Sequence, residues 1–112
     1  MVKNNYTPDR GDIVWLDFNP QLGHEQRGRR PALVLSHKSY NEKIGLAIFC
    51  PVTSKIKGYP FEVEVHLKKI NGSVLSDQIK SLDWKIRNIE YIESIPDTML
   101  DEVIQKIEVI IK

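Results

Sequence analysis

The sequence contains one cysteine, Cys50, so no disulfide can form within the chain. No apolar run approaches the roughly 18 to 20 residues that a transmembrane helix requires, which excludes a helical membrane protein. The first segment, MVKNNYTPDRGD, has no apolar stretch like that of a secretory signal peptide. We therefore expect a cytoplasmic protein in which Cys50 is a reduced, buried thiol. The 112 residues suit a single compact domain, 1–112.

The usual signatures of metal and cofactor sites are also missing from the sequence. The histidines His24, His37 and His66 are isolated, and no pair has the spacing of a zinc site. There is no Walker loop and no dinucleotide fingerprint. None of the serines lies in a nucleophile elbow. If the chain is an enzyme, we expect it to work without a metal ion or cofactor.

Positive charge is concentrated in the first half of the chain. Residues 1–60 carry 9 Lys or Arg against 5 Asp or Glu, whereas residues 61–112 carry 7 against 10. The net charge of +1 therefore combines a basic half with an acidic half. This asymmetry favours a local anionic ligand held by a few loops over a generic nucleic-acid coat. On charge alone, an ordinary solvated surface remains an alternative.

Hydrophobic patterning predicts a mainly β fold. Segments 32–36 and 45–53 are continuously apolar, which predicts strands buried on both faces. Segment 61–67, FEVEVHL, alternates apolar and charged residues, so one face should meet water. Further strands are predicted at 12–18, 72–83 and 87–95.

The pattern changes to a helical period at Pro96, which suits the first helical position. The apolar stripe of this terminal helix comprises Met99, Leu100, Val103, Ile104, Ile107 and Ile111. We expect a small, strongly bent sheet or barrel with this helix packed against it. Ile110 and Ile111 flank the main stripe, and covering them with a second copy would give a homodimer.

The stretch GHEQRGRRPALVLS, residues 23–36, places three arginines close to Glu25. Metal-free cleavage suits RNA, because RNA carries its own nucleophile, the 2′-hydroxyl, beside each phosphate. The protein then needs a base, an acid and positive charge for the developing phosphorane. Glu25 can be the base, Arg30 can stabilise the charge, and the Thr53 hydroxyl can orient a phosphate oxygen. Gly28 allows this loop to turn sharply.

Four ordered motifs resemble the MazF/PemK family of toxin endoribonucleases. They are RGDIVWLDFNP, GHEQRGRRPALVLS, PVTSKIKGYPFEVEV and VLSDQIKSLDW, and they cover nearly the whole chain. The pattern G-x-E-Q-x-G-x-R-P is intact. The resemblance implies an SH3-like barrel that forms homodimers. It also implies metal-independent cleavage of single-stranded RNA that leaves a 2′,3′-cyclic phosphate and a 5′-hydroxyl.

The resemblance assigns roles by motif position. Arg30 and Thr53 become the catalytic pair, and Glu25 the proposed base. The predicted RNA-binding residues are Gln26, Arg27, Gly28, Arg29, Lys55, Lys57, Asp77 and Gln78. A cognate antitoxin with a flexible acidic segment is expected to cover the RNA groove.

Several alternatives remain open at this stage. Arg27, Arg29, Lys55 and Lys57 could be solvated loop residues, and Asp77 with Gln78 could cap a turn instead of reading a base edge. Trp15 and Trp84 could be structural or lie at a partner surface. A relative of the same fold that acts on a protein such as DNA gyrase is the alternative function, because fold alone does not determine function. An intact Arg30 and Thr53 pair favours the nuclease.

Overall fold

The computed structural model describes residues 5–18 and 28–112. Within them the chain forms seven strands, two α-helices and one short 3₁₀-helix at Trp84–Ile86. The strands are β1 (Asp12–Asp17), β2 (Arg29–Val34), β3 (Ala47–Thr53), β4 (Glu62–His66), β5 (Asn71–Leu75), β6 (Lys80–Leu82) and β7 (Glu90–Ser94). The helices are α1 (Lys38–Ile44) and α2 (Asp97–Ile111).

The strands form one antiparallel sheet in the order β4-β5-β3-β2-β1-β7, and β6 also pairs with β3. Val65 near one edge of the sheet and Ile92 near the other pack into the same core cluster. Leu100 and Val103 of α2 belong to that cluster too. The sheet therefore curls so that both edges approach α2, which confirms the predicted mainly β fold with a packed C-terminal helix.

The central strands β1, β2 and β3 have apolar residues on both faces. Leu33 and Cys50 contribute to the cluster that contains α2, whereas Ala32 and Phe49 contribute to a second cluster on the opposite side. The continuous apolar runs predicted this double burial for β2 and β3, but not for β1. Cys50 is a buried free thiol, and burial, with a smaller contribution from the Asp77 charge, raises its pKa to about 12.

Helix α2 follows the predicted stripe with two differences at its ends. Pro96 is the N-cap, one residue before the helix, because its backbone is extended. Leu100, Val103 and Ile107 are buried, but Ile111 is 70% exposed. No helix in the described ranges is long and apolar enough to span a membrane.

Three local features differ from the sequence prediction. The strand predicted at 32–36 is β2, which begins earlier, at Arg29, so Arg30 lies on a strand and not in a loop. Segment 72–83 is not one strand but two, β5 and β6, because a turn begins after Leu75, where the Gln78 N–H donates to the Leu75 carbonyl at 3.1 Å. Helix α1 was not predicted. Its only buried residue is the polar Asn41, while Tyr40 and Ile44 are exposed, so it carries no apolar stripe for a periodicity argument to detect.

Candidate active site

Arg30 and Thr53 lie on the two central strands of the sheet. The antiparallel register of β2 and β3 pairs Ala32 with Pro51, and Arg30 and Thr53 each lie two residues beyond this pair. Both residues line the same cleft, where Arg30 is partly exposed and Thr53 is 8% exposed. Because β2 and β3 are packed on both faces for most of their length, the backbone that carries this pair is firmly held.

The chain enters β2 through a constrained turn at Gly28. Gly28 has a φ of +75°, a conformation that favours glycine, and its carbonyl accepts a 2.9 Å hydrogen bond from the Phe18 N–H. Pro31 restricts Arg30 to extended backbone from the other side. The turn that the sequence assigned to Gly28 is therefore present, and it directs the chain into the strand that carries Arg30.

Thr53 is held in place by a close approach of β5. A Cβ atom built on Gly72 would lie 2.0 Å from the Thr53 carbonyl oxygen, far inside van der Waals contact. The Thr53 hydroxyl accepts a 3.2 Å hydrogen bond from the Lys55 N–H, which fixes the start of the following loop. Only glycine at position 72 allows the two strands to come this close.

The cleft has a volume of about 740 Å³. Besides Arg30 and Thr53, it is lined by Ser54, Lys55, Lys57, Tyr59, Glu62, Leu75, Asp77 and Gln78. The structure thus brings four of the predicted RNA-binding residues, Lys55, Lys57, Asp77 and Gln78, to the same cleft as the predicted catalytic pair. Three cationic side chains against the two carboxylates of Glu62 and Asp77 leave the walls net positive, which suits an anionic chain.

One wall of the cleft is a loop that Glu62 anchors. Its carboxylate accepts hydrogen bonds from the backbone N–H groups of Lys57, at 3.0 and 3.1 Å, and of Gly58, at 2.8 Å. Gly58 has a φ of +79°, so the turn depends on glycine. Desolvation acts to raise the pKa of Glu62, but the N–H groups of Lys57 and Gly58, with the Ser73 hydroxyl and the Lys57 charge, together lower the pKa below its usual value.

Tyr59 connects that loop to the opposite wall. Its hydroxyl donates a 2.6 Å hydrogen bond to Oδ1 of Asp77. Burial and this bond to Asp77 raise the pKa of the Tyr59 phenol, so it remains a donor at neutral pH. From the other side, Nζ of Lys106 on α2 donates to the Pro60 carbonyl at 2.6 Å. The loop is thereby fixed to both the sheet and the helix.

Gln78, which lines the cleft, has a side-chain hydrogen-bond acceptor without a partner in the described part of the chain. Its Oε1 atom is enclosed and has no hydrogen-bond partner among the described residues. An enclosed acceptor without a partner carries a desolvation cost, which a donor from a bound ligand would remove after a small movement. The use of Gln78 in reading a base edge stays a prediction, and Asp77 accepts a hydrogen bond from Tyr59.

Tyr59 and Glu62 were missing from the sequence-based site. Glu62 lies on the charged face of an alternating strand and therefore resembled an ordinary solvent-facing residue. The KGYPFEV segment could have identified both Tyr59 and Glu62. It combines a glycine turn, whose backbone N–H groups need an acceptor, with a nearby carboxylate that can accept from them.

A guanidinium and a hydroxyl on neighbouring strands, facing a cationic cleft, can bind and polarise a phosphate group. A sequence model of the family described as "PemK-like, MazF-like toxin of type II toxin-antitoxin system" matches residues 9–111. The chain belongs to this toxin family.

Individual relatives are similar to this chain over nearly its whole length. The toxin is 42% identical over 108 residues to the "Endoribonuclease toxin MazF" of Escherichia coli strain K12, covering 96% of this chain and 97% of that protein. The crystal structure of MazF from Deinococcus radiodurans matches with a TM-score of 0.92 at 50% identity, covering 96% of this chain and 98% of that one. A MazE–MazF crystal structure from the same organism matches with a TM-score of 0.86 at 50% identity, covering 96% of this chain and 97% of that one.

Arg29 of the toxin has protein partners for its guanidinium. Nη1 donates to Oδ1 of Asp17 at 3.3 Å and to the Asn88 carbonyl at 2.6 Å, and Nη2 donates to Oε1 of Glu90 at 3.3 Å. These contacts join β1, β2 and the segment that enters β7. An RNA phosphate would have to compete with these two carboxylates for the Arg29 guanidinium. The geometry therefore favours a structural role for Arg29 over the predicted RNA contact.

The remaining predicted residues of the toxin's site lie outside the described ranges. They are Glu25, Gln26 and Arg27, in the segment between Phe18 and Gly28. Their roles as base and RNA-binding residues stay predictions.

Proposed function

We propose that this toxin is an endoribonuclease that cleaves single-stranded mRNA at short sequences without a metal ion and so inhibits translation and growth. The observation that carries the proposal is the placement of Arg30 and Thr53 in one cationic cleft. The endoribonuclease names of its relatives support the same reaction, including the MazF of Escherichia coli and the PemK of the same organism at 28% identity over 116 residues.

In the proposed reaction the 2′-oxygen of the RNA attacks the adjacent phosphorus. A base removes the 2′-hydroxyl proton, the bond from phosphorus to the 5′-oxygen breaks, and an acid protonates that leaving oxygen. The products are a 2′,3′-cyclic phosphate and a 5′-hydroxyl end. The Arg30 guanidinium stabilises the charge that develops on the phosphorane, and the Thr53 hydroxyl orients one phosphate oxygen. Glu25 is the proposed base.

The rest of the cleft binds the strand that is cut. Lys55 and Lys57, whose side chains are exposed, contact phosphates of the part of the strand that occupies this cleft. Gln78 accepts from or donates to an exposed base edge, which is how proteins read single-stranded RNA. Asp77 assists by fixing Tyr59 and by disfavouring a phosphate at its own position.

The proposal is tested by incubating purified toxin with a defined RNA in EDTA and sequencing both new ends. We expect cutting in EDTA, with cyclic phosphate and 5′-hydroxyl ends. A second RNA carries a 2′-deoxy nucleotide at the cut site, and we expect it to bind and resist cleavage. Dependence on added magnesium, or normal cutting of the 2′-deoxy RNA, would eliminate this mechanism.

We also propose an antitoxin partner with a flexible, acidic segment that occupies the same cleft. The basic walls attract carboxylates as well as phosphates, and solved MazE–MazF complexes of relatives support a protein inhibitor. RNA bound to the Arg30→Ala variant should be displaced by a synthetic disordered peptide rich in Asp and Glu, and association should slow as salt rises. Simultaneous binding with unchanged RNA affinity would place the inhibitor elsewhere.

A homodimer is proposed from the end of α2. Val109, Ile110 and Ile111 are 72%, 47% and 70% exposed, and a second copy would remove this apolar surface from water. Sedimentation of the toxin at micromolar concentration should give twice the mass of the chain; a monomer would contradict the proposal. A cytoplasmic location is proposed as well, because the substrate mRNA is there and the buried Cys50 suits a reducing compartment.

A further inference from the structure

A second cleft adjoins the candidate active site and is not used by the reaction described above. It has a volume of about 340 Å³ and shares Arg30, Thr53 and Ser54 with the first cleft. The catalytic pair therefore forms the boundary between two clefts. A single strand that lies across Arg30 and Thr53 and occupies the first cleft on one side would enter the second cleft on the other.

The walls of the second cleft combine three kinds of contact that a nucleotide can use. Trp15 is 36% exposed and lies directly opposite Pro31 in the β1–β2 register, which gives a flat apolar surface. Exposed aromatic rings stack on bases of any identity in single-stranded nucleic acids. Asn71 supplies an amide and Lys69 a cation; Arg29 also lines this cleft, but its guanidinium is bound to Asp17 and Glu90. The volume falls at the lower end of the range of ligand pockets, roughly 300 to 1,000 Å³.

The turn that carries Lys69 is fixed from outside the cleft. Oε2 of Glu93 accepts a 2.9 Å hydrogen bond from the Lys69 N–H and another of 2.9 Å from the Ile70 N–H. Glu93 lies on β7, so this carboxylate ties the β4–β5 turn to the opposite edge of the sheet. The arrangement parallels Glu62, which anchors the Lys57 turn on the first cleft. In both places an acidic side chain anchors the backbone of a lysine-bearing turn.

We propose that the second cleft binds the RNA nucleotide that flanks the scissile phosphate on the side away from the first cleft. Its base stacks on Trp15, and its outer phosphate pairs with the Lys69 ammonium. The proposal rests on the proposed function of the first cleft, because the RNA strand there determines which nucleotide reaches Trp15. It makes Lys69 a substrate-binding residue and Glu93 a positioning residue.

Lys68 provides a matched control for Lys69. The two lysines are neighbours in the same exposed turn, and Lys69 lines the second cleft, whereas Lys68 does not line either of the two clefts described here. Lys68→Ala and Lys69→Ala remove the same charge from almost the same place. General electrostatic attraction predicts equal losses for the two variants, whereas a phosphate contact predicts a loss for Lys69→Ala alone.

The binding test uses RNA oligomers built around the cut site that sequencing identifies, with 2′-deoxy at the cut nucleotide. We expect Lys69→Ala to weaken binding several-fold and to reduce the salt slope of log Kd by about 1, as for loss of one phosphate contact. Lys68→Ala should leave both quantities close to those of the unaltered toxin. Shortening the oligomer on one side of the cut should abolish the Lys69 effect, and shortening it on the other side should not.

Trp15 gives an independent readout by fluorescence. Trp84 is 8% exposed and donates its indole N–H to the Asn41 carbonyl at 3.2 Å, so its signal serves as a buried reference. The same 2′-deoxy oligomer should quench the toxin's fluorescence, and the Trp15→Phe variant, which keeps an aromatic ring, should lose most of that quenching. Equal effects of the two lysine variants, or undiminished quenching in Trp15→Phe, would overturn the proposal. If the unaltered toxin does not cut RNA at all, that result contradicts the proposed function of the first cleft, and it is distinguishable from failure of the second-cleft proposal.

Discussion

Arg30 on β2 and Thr53 on β3 each lie two residues beyond the last positions at which these two strands pair, Ala32 and Pro51, at the boundary between two clefts. Both residues belong to strands of the sheet, where Arg30 pairs with Leu16 and Thr53 pairs with Ser73. A site of this kind is assembled before substrate arrives, and electrostatic stabilisation of a transition state depends on such preorganisation.

Arg30→Ala should therefore abolish most cleavage and leave the fold intact. Loss of one preorganised donor typically lowers kcat on the order of 100-fold or more. Arg30→Lys should also lose most activity, because an ammonium cannot reproduce the bidentate geometry of a guanidinium. Single-turnover cleavage and thermal unfolding measure the two effects. A folded Arg30→Ala protein that cuts at a near-normal rate would rule out the assignment.

Thr53→Val and Thr53→Ser separate the hydroxyl from the shape of the side chain. Valine keeps the volume but removes the acceptor that holds the Lys55 N–H, so we expect slower cleavage, with a higher KM as the loop loosens. Serine retains the oxygen and should cut at a rate close to that of the unaltered toxin. Equal rates for the valine and serine variants would show that the Thr53 hydroxyl takes no part.

Gly72→Ala should damage the site without touching the substrate. The added methyl would lie 2.0 Å from the Thr53 carbonyl oxygen, so β3 and β5 must separate. We expect a loss of roughly 1 to 3 kcal/mol in the free energy of unfolding, as for other overpacked sites, together with a lower kcat. Denaturant unfolding and cleavage assays check this. Unchanged values for both would mean that the strand end yields freely and does not position Thr53.

Glu62 should give the active-site loop a pH dependence. The pKa of Glu62 is lowered in the folded protein, so its anchoring contribution is fully present above the ordinary carboxyl pKa of 4.5 and is lost as pH falls below that value. The amide resonances of Lys57 and Gly58 should shift in an NMR titration with a midpoint below 4.5, and Glu62→Gln should remove that transition.

The Glu62→Ala variant should raise KM for RNA more than it lowers kcat, because it frees the loop that carries Lys57. Glu64→Ala is the control: it removes the same charge from the same strand, where Glu64 contacts only the exposed His66 among the described hydrogen bonds. Equal KM values for these two variants would contradict the anchoring role of Glu62.

Asn41→Ala should destabilise the fold at a distance from the clefts. The Asn41 side chain is fully buried; it accepts from the Ser36 hydroxyl at 2.5 Å and donates to the carbonyls of Pro8, at 2.8 Å, and Ser36, at 3.0 Å. Each buried group left without a partner costs about 1 to 3 kcal/mol. Denaturant unfolding should show a loss on the order of 3 kcal/mol, against almost none for the exposed Glu42→Ala on the same helix.

The sequence predicted those features that depend on local periodicity. The alternation of Val63 and Val65 with glutamates identified β4, and the stripe from Leu100 to Ile107 identified α2. It did not predict α1, since the buried residue of that helix is an asparagine whose partners, Pro8 and Ser36, are brought to it by the tertiary fold.

Contacts between residues that are distant in the sequence distinguish site residues that the local sequence could not. Arg29 and Arg30 are adjacent and chemically identical, yet Arg29 is bound to Asp17 and Glu90 and lines only the second cleft, whereas Arg30 lines both clefts. Those carboxylates are 12 and 61 positions away from Arg29, so only the strand order reveals the difference. The family motif, in contrast, assigned Arg30 and Thr53 to one catalytic pair, and the structure places both on the wall of one cleft.

The burial of β2 and β3 on both faces affects how quickly such a toxin can begin to act. Arg30 and Thr53, carried by strands packed on both faces, are in position in the folded protein. Under the proposed function, the inhibitor covers a catalytic pair that is already in position. Removal of the inhibitor then exposes this pair to RNA. The delay between stress and growth arrest would then equal the survival time of the antitoxin, and cells would adjust their response through proteolysis of the inhibitor.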